Sequence, residues 1–195
     1  MTLSLTPVVA GFAAKRVSSP PEALQAHGVT EVLSLSGCVS TTMLADPKRS
    51  GLFLGLFAEE AAAELFIHGR ASDFRLLALG VIPIVFEDGH RRPMKFPADV
   101  APPRLELPRS SWRQRGYDVV QIGDDGAGGY WFACSPLSCN YEAERTPVNP
   151  CCLLDSLDDA LRVATRFSID KPEPGAYAAF EVWERIERPA ESAPG

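Results

Sequence analysis

Four of the five cysteines in the chain lie close together in its second half. Cys134 and Cys139 are separated by four residues, and Cys151 and Cys152 are adjacent. Thiolates are preferred ligands of zinc, and two closely spaced pairs can close a tetrahedron around one ion. The first hypothesis from this spacing is a zinc site whose ligands are Cys134, Cys139, Cys151 and Cys152.

The adjacent pair weakens this hypothesis, because neighbouring side chains on an extended backbone point to opposite faces. Cys38 or a histidine would then have to supply the fourth ligand. The competing interpretation is that the thiols are buried structural groups, since free cysteine commonly behaves as a small hydrophobic residue. The odd number of cysteines also favours free thiols over a disulfide framework.

A second hypothesis is nucleophilic catalysis, in which Cys134 or Cys139 is the thiolate and a histidine is the base. The partners of such a dyad can lie far apart in sequence. His27 and His68 each precede a glycine that ends a predicted helix, where the helix dipole explains a histidine without catalysis. His90 lies in a predicted turn and is the remaining candidate base.

Composition excludes some functional classes. The chain has 195 residues, a formal net charge of −6 and a pI near 5.1. Phosphate backbones require clustered Lys and Arg, so a nucleic-acid-binding role is not expected. There is no secretory leader pattern and no apolar run long enough for a transmembrane helix. We therefore expect a cytoplasmic protein that does not enter the membrane.

The cysteines of the second half lie between elements that the sequence predicts clearly. Apolar strands at 117–122 and 130–134 flank a glycine-rich loop, which indicates a hairpin. Ser156 is followed by acidic residues, and this pattern predicts the start of an amphipathic helix. A last strand is expected at 176–186. The C-terminal half should therefore be ordered β-β-loop-α-β.

The first half predicts a strand over 31–38, a helix over 58–69 and two extended segments, 74–79 and 81–86. Pro83 lacks a backbone N–H, so its segment should lie at a sheet edge or carry a bulge. Helices and strands alternate without a regular βαβ repeat. We expect an α+β fold with mixed or antiparallel sheets and a few short helices.

A proline-rich stretch suggests a division of the chain. Five prolines between residues 91 and 111 disfavour regular structure there. We predict an N-terminal α+β subdomain over 1–90, a linker or wrapped segment over 91–111, and a C-terminal ββαβ subdomain over 112–188. The tail at 189–195 is expected to be frayed.

Aromatic residues suggest a protein-binding surface. Tyr130 and Trp131 are consecutive in a predicted strand and point to opposite faces, while Tyr177 and Trp183 share the more polar face of the last strand. Tyrosine and tryptophan on such faces are enriched at protein interfaces. The competing interpretation is that a second layer of the same protein covers that face.

These observations favour a non-enzymatic protein that binds another protein, such as an immunity-type inhibitor, a regulator or an accessory subunit of an enzyme complex. No cofactor is required for that role. The alternative is a thiol- or metal-dependent enzyme centred on the cysteine-rich loop 134–152, with zinc as the expected metal. The identity of the partner or substrate and the oligomeric state do not follow from the sequence.

Overall fold

The structure of the chain is a computed structural model. It describes residues 4–17, 19–36, 38–39, 42–43, 54–68, 74–96, 102–124 and 130–186. The tail predicted at 189–195 lies outside the described residues, and so does the tip of the predicted hairpin at 125–129.

The described residues form one antiparallel sheet with helices packed on its outer face. The strands are β1 (Val8–Arg16), β2 (Thr42–Met43), β3 (Phe74–Val81), β4 (Ile84–Glu87), β5 (His90–Pro93), β6 (Trp112–Asp124), β7 (Tyr130–Cys134) and β8 (Ala176–Arg185). The helices are α1 (Glu22–Gln25), α2 (Glu60–Ile67), α3 (Pro136–Cys139) and α4 (Leu157–Asp170), with a 3₁₀ turn at Glu142–Glu144.

Strand β8 lies at the centre of the sheet and is bordered on one side by β6 along its whole length. On its other side it pairs with β3 and then with β4, which follow each other in the chain. The step between β3 and β4 contains Ile82 and Pro83, so the missing N–H of Pro83 falls where the ladder is interrupted. The sequence predicts a sheet edge or a bulge here, but β4 pairs with a strand on each side and shows no register shift, so the proline is accommodated by the break between β3 and β4. Strand β6 also pairs with β7, β3 with β1, and β4 with β5.

The sheet curls, and the segment 54–57 connects its two edges. Phe57 forms a bridge with Phe12 of β1, and Leu54 forms a bridge with Trp131 of β7. This approach depends on Gly11, because a Cβ there would lie 2.7 Å from the carbonyl oxygen of Phe57. Gly11 has φ +140° at a bulge in β1, a conformation that favours glycine.

The concave side of the curled sheet holds the largest apolar cluster. It includes Leu77 from β3, Val120 from β6 and Phe180 from β8, and all three side chains are fully buried. Segments without regular secondary structure cover this interior, and they contribute the side chains of Leu33 and Leu153 to the cluster. Burial of such side chains contributes about 1.5–3 kcal/mol each, which makes this cluster the main source of stability.

The helices cover the convex side. Helix α4 packs Phe167 against Tyr177 of β8, with ring centroids 5.7 Å apart. Helix α2 places Ala63 in a smaller cluster with Trp112. Helix α4 begins as its sequence predicts, because the hydroxyl of Ser156 accepts a hydrogen bond from a first-turn backbone N–H.

The predicted α+β class with an antiparallel sheet is confirmed. The described C-terminal half runs β6, β7, α3, the 3₁₀ turn, α4 and β8, so two short helical segments occupy the stretch expected to be a loop. The division into subdomains 1–90 and 112–188 stays a prediction. The structure places strands from both ranges in one sheet, where β3 pairs with β8.

No helix among the described residues has both the length and the hydropathy needed to span a membrane.

Candidate metal centre

Three cysteine thiols meet at one end of the curled sheet. The Sγ atoms of Cys38, Cys134 and Cys139 all lie within 4.8 Å of one another, and those of Cys38 and Cys134 are 4.0 Å apart. Two sulfurs bound to one zinc ion at about 2.3 Å each are separated by roughly 3.8 Å. The three thiols therefore lie close to the spacing that a shared metal ion requires.

Two of these thiols are held by the turn that ends β7. Cys134 is the last residue of the strand and Cys139 is the last residue of α3. Ser135 and Pro136 begin this single helical turn, and the N–H of Cys139 donates to the carbonyl oxygen of Ser135 (3.0 Å). Proline is well tolerated at the first position of a helix. One turn of helix thus brings Cys139 back beside Cys134.

The third thiol follows a buried irregular segment that runs from Val32 to Ser36. The strand predicted over 31–38 is wrong, because the described part of this segment bends at Ser34 and Leu35 and joins no strand ladder. The hydroxyls of Ser34 and Ser138 lie 2.6 Å apart, which ties this segment to α3. The hydroxyl of Ser36 lies 3.9 Å from the Cys134 Sγ and accepts a hydrogen bond from the Cys38 N–H (3.2 Å). These contacts fix the position of Cys38, which is far away in sequence.

Asp118 joins the two halves of the site. Its Oδ2 atom accepts a hydrogen bond from the N–H of Leu35 (2.5 Å), and its Oδ1 atom accepts from the hydroxyl of Ser135 (2.6 Å) and the N–H of Val119 (2.8 Å). The side chain is fully buried. Burial raises the pKa of Asp118 above its ordinary value, and the hydrogen bonds from these donors and the charge of the nearby Lys15 offset only part of that shift. Because all three hydrogen bonds require an acceptor, the geometry favours the carboxylate.

Lys15 is a fully buried lysine next to this carboxylate. Its Nζ atom donates to the carbonyl oxygen of Ser36 (2.8 Å) and to the hydroxyl of Thr42 (2.9 Å). Burial lowers the pKa of Lys15 to about 7, although the negative charge of Asp118 opposes the shift. A buried cation is costly unless it is paired and hydrogen-bonded. Its position beside the cysteine cluster is therefore the most unusual electrostatic feature of the core.

The protonation of the thiols limits what they can do without a metal. Burial raises the pKa of Cys134 and of Cys139, and hydrogen bonding to neighbouring thiols also raises that of Cys134. At neutral pH both groups are therefore protonated, and a protonated thiol is a poor nucleophile. A bound metal would displace these protons, because only the thiolate is a ligand.

The site opens to the surface on the side of Cys38. The Cys38 side chain is exposed, that of Cys139 is partly exposed and that of Cys134 is buried. A metal ion could therefore enter from solvent without opening the core. Among the described residues, the group of potential ligands contains only these three side chains, which leaves one position of a tetrahedral ion for water or another molecule.

The adjacent cysteines lie outside this group. Cys151 enters the interior cluster, where its Sγ atom accepts a hydrogen bond from Arg115 (3.0 Å) and donates to Glu31 (3.4 Å). Cys152 is fully buried in the cluster beneath α4. Burial raises the pKa of Cys151 to about 11 and that of Cys152 to about 12. Both thiols are structural groups in this arrangement.

The structure does not bring His90 to the thiols. His90 begins β5 and Cys134 ends β7, and four strand intervals separate these two strands in the order β5, β4, β8, β6, β7. With strands about 4.8 Å apart, that path is on the order of 20 Å. The proposed pairing of Cys134 or Cys139 with His90 has no contact to support it.

The four aromatic residues predicted to bind a partner have different surroundings. Trp131 exposes 52% of its surface, whereas Tyr130 is buried and Tyr177 is completely buried, with its hydroxyl donating to the carbonyl oxygen of Glu173 (2.5 Å). Trp183 is partly buried and packs against the cluster under α2. A partner could contact Trp131 in this arrangement, so the prediction of a binding surface now depends mainly on that residue.

Sequence reasoning named Cys38 only as a substitute ligand and gave no role to Asp118 or Lys15. Each of these residues is separated from Cys134 by more than ten positions, so local spacing carries no signal that they meet. A charged residue inside an otherwise apolar strand is the one available hint, since Asp118 precedes two valines and Lys15 follows two alanines.

Comparison of the chain with protein-family models, with curated proteins and with solved structures finds no match. The functional proposal is therefore derived from the geometry of the site alone.

Proposed function

We propose that the protein binds a zinc ion through the thiolates of Cys38, Cys134 and Cys139, and that this ion is the centre of its activity. The observation that carries the proposal is the mutual approach of the three Sγ atoms within 4.8 Å. Three free thiols at this spacing form a soft donor set, which selects zinc or copper(I) over magnesium or calcium. Zinc is preferred here because it needs no redox partner.

Three ligands are found among the residues that the structure describes, and this number supports a metal-dependent enzyme over a purely structural site. Structural zinc is usually held by four protein ligands, whereas catalytic zinc keeps three and leaves one position open. When bound, the ion would supply Lewis-acid chemistry and would acidify a coordinated water. The exposed side of the cluster at Cys38 would admit that water and a substrate.

The residues around the thiols would then act as positioning groups. Asp118 holds Leu35 and Ser135, which belong to the two chain segments that carry the ligands. The Lys15 ammonium would offset part of the negative charge of three thiolates, because it is buried in the same interior. Neither residue offers a ligand atom to the cluster described above.

The test is metal content with single cysteine variants. We expect the purified protein to hold one zinc per chain by elemental analysis, and Cys38→Ser, which alters an exposed side chain, to lose it. Cys151→Ser is the matched control, because Cys151 lies outside the cluster, and it should keep the ion. Zinc-free protein that also fails to take up added zinc would refute the proposal, as would equal zinc content in both variants.

A second candidate function is protein binding through Trp131. A half-exposed indole is unusual for a monomer surface, and tryptophan is the residue most enriched at the centres of protein interfaces. The net charge of −6 favours a basic partner. This is the non-enzymatic role proposed from the sequence, whether as immunity-type inhibitor, regulator or accessory subunit.

The protein-binding role is tested by pull-down from the native host with wild-type and Trp131→Ala baits. A specific partner should be recovered with the wild type and lost with the variant. Leu65→Ala is the control, because Leu65 is also strongly exposed but lies on α2. Recovery of the same proteins with all three baits would count against a role for Trp131.

A further inference from the structure

A second polar site lies at the sheet end where β6 begins and β8 ends. A hollow of about 370 Å³ is found there, and its lining residues are Arg109, Trp112, Arg113, Gln114, Trp183 and Ile186. This volume is at the lower end of the range seen for small-molecule sites. The register explains the meeting of these side chains, because Gln114 of β6 lies opposite Trp183 of β8.

The hollow carries a local positive charge in a chain whose net charge is negative. Its lining contains two guanidinium groups and no carboxylate. Arg109 and Arg113 are both exposed, and neither side chain takes part in any ion pair or hydrogen bond found among the described residues. By contrast, the neighbouring Arg75 pairs with Glu184 (3.1 Å) and Arg185 pairs with Glu60.

An adjoining hollow extends the positive surface. Arg113 is shared with a space of about 220 Å³ that is also lined by Arg75, Arg185 and Glu184. Arg75 and Arg185 already have acidic partners, so they add little free charge. Glu184 also interacts with the charge of Arg113, so Arg109 and Arg113 are the two lining cations without a close ion pair, and Arg109 is the one farther from this carboxylate in the lining of the two hollows.

The wall of the larger hollow is aromatic. Trp112 is almost completely buried, and the guanidinium of Arg185 lies over its ring at 5.5 Å from the centroid. Trp183 is partly buried beside it. An aromatic wall with a few polar groups at one side is the usual composition of a site for a small organic ligand. Guanidinium groups favour carboxylate and phosphate, because their planar donors match both geometries.

We propose that this hollow binds a small aromatic anion, with its carboxylate or phosphate between Arg109 and Arg113 and its ring against the partly exposed Trp183, at the edge of the buried Trp112. The site is separate from the cysteine cluster, since its lining residues and the three cysteines have no member in common. Binding in this hollow does not require a metal ion, so the zinc proposal and the anion-binding proposal can each be refuted without the other.

The experiment is titration calorimetry of the full-length protein with benzoate, phenyl phosphate and inorganic phosphate as probes, at constant ionic strength. We expect at least one aromatic probe to bind with one site per chain and more tightly than inorganic phosphate. Arg113→Ala and Arg109→Ala should each weaken binding about tenfold, which corresponds to about 1.4 kcal/mol. Which aromatic probe binds more tightly identifies the anionic group.

Arg104→Ala is the matched control, because Arg104 is an exposed arginine that bridges to the first residue of β1, at the far end of that strand. It should bind within twofold of the wild type. Arg109 and Arg113 are exposed, so we expect both variants to keep the wild-type fold, and circular dichroism measures this. Absence of saturable binding, equal binding by the Arg113 and Arg104 variants, or equal affinity for inorganic phosphate would overturn the proposal.

Discussion

Replacing Asp118 by asparagine is the most informative single perturbation of the core. The change keeps the shape of the side chain and removes its charge. The amide oxygen can still accept the hydrogen bonds from Val119 and Ser135, which both reach Oδ1. The amide NH₂ then replaces Oδ2 and faces the N–H of Leu35, so two buried donors oppose each other.

The expected cost follows from these contacts. Loss of a hydrogen bond to a charged group costs about 1.5–3 kcal/mol, and an unsatisfied buried donor costs about 1–3 kcal/mol. Lys15 also loses the charge that favours its protonated form. Together the lost hydrogen bond and the unsatisfied donor amount to about 2.5–6 kcal/mol. We therefore expect Asp118→Asn to lower the free energy of unfolding by about 3–5 kcal/mol.

The same substitution should weaken metal binding. Leu35 precedes Cys38 by three residues, so release of its N–H loosens the segment that presents this thiol. Loss of a group that orients metal ligands typically reduces affinity about 10–100-fold. Zinc affinity of the variant, measured by competition with a chelator dye under conditions where it remains folded, should fall by this factor.

Urea unfolding followed by circular dichroism measures the stability change. Asp170→Asn is the matched control, because Asp170 is exposed at the end of α4 and should change stability by no more than about 0.5 kcal/mol. Adding Lys15→Met to Asp118→Asn removes the buried cation whose charge Asp118 no longer offsets and should recover part of the loss. A variant within about 1 kcal/mol of the wild type would refute the role assigned to Asp118.

Three further predictions concern other parts of the fold. The pKa of Lys15 is about 7 in the folded state and about 10.5 in the unfolded state, so Lys15 loses its proton at a lower pH when the protein is folded. The free energy of unfolding of the wild type, measured in urea relative to that of Lys15→Met, should therefore rise by about 2–3 kcal/mol between pH 6.5 and 9. A difference between the two proteins that does not change with pH would contradict the lowered pKa. Ser156→Ala removes the cap on the N–H of Asp159 (3.1 Å) and should cost about 1 kcal/mol in the same assay. A Cβ at Gly123 would lie 2.0 Å from the indole of Trp131, so Gly123→Ala should displace this half-exposed ring and shift its fluorescence. An unchanged spectrum would be evidence against the packing.

Local features of the fold follow from the sequence because they depend on neighbouring residues. The cap at Ser156 and the apolar face of α4 are visible in one short stretch, and both are present in the structure. The break at Pro83 is equally local, since it results from the missing N–H of one residue. The α+β class follows from the absence of a βαβ repeat.

The metal centre could be predicted only in part because it is assembled by long-range contacts. Cys134 and Cys139 are joined by a single helical turn, which their spacing suggests. Cys38 joins them through long-range contacts of its segment, among them the hydrogen bond from the Leu35 N–H to Asp118, across 83 positions of the chain, and the contact between Ser34 and Ser138. Sequence spacing has no information on such a contact. It instead suggested the adjacent pair Cys151 and Cys152, whose side chains enter different clusters.

The aromatic residues illustrate a related limit. The alternation of side chains along the last strand assigns Tyr177 to one face of the sheet, but it does not show which part of the protein covers that face. In the structure α4 packs there, and the ring of Phe167 lies against Tyr177. Whether an aromatic side chain is free to meet a partner depends on the tertiary arrangement of helices, which the strand itself does not determine.

The central claim is tested most directly by X-ray absorption at the zinc edge of the metal-loaded protein. The account predicts three sulfur neighbours at about 2.3 Å and one lighter ligand, an oxygen or a nitrogen. The Cys38→Ser variant, if it retains any zinc, should show two sulfurs. A spectrum with only nitrogen or oxygen neighbours, or one unchanged by Cys38→Ser, would contradict the assignment of Cys38, Cys134 and Cys139 as the metal ligands.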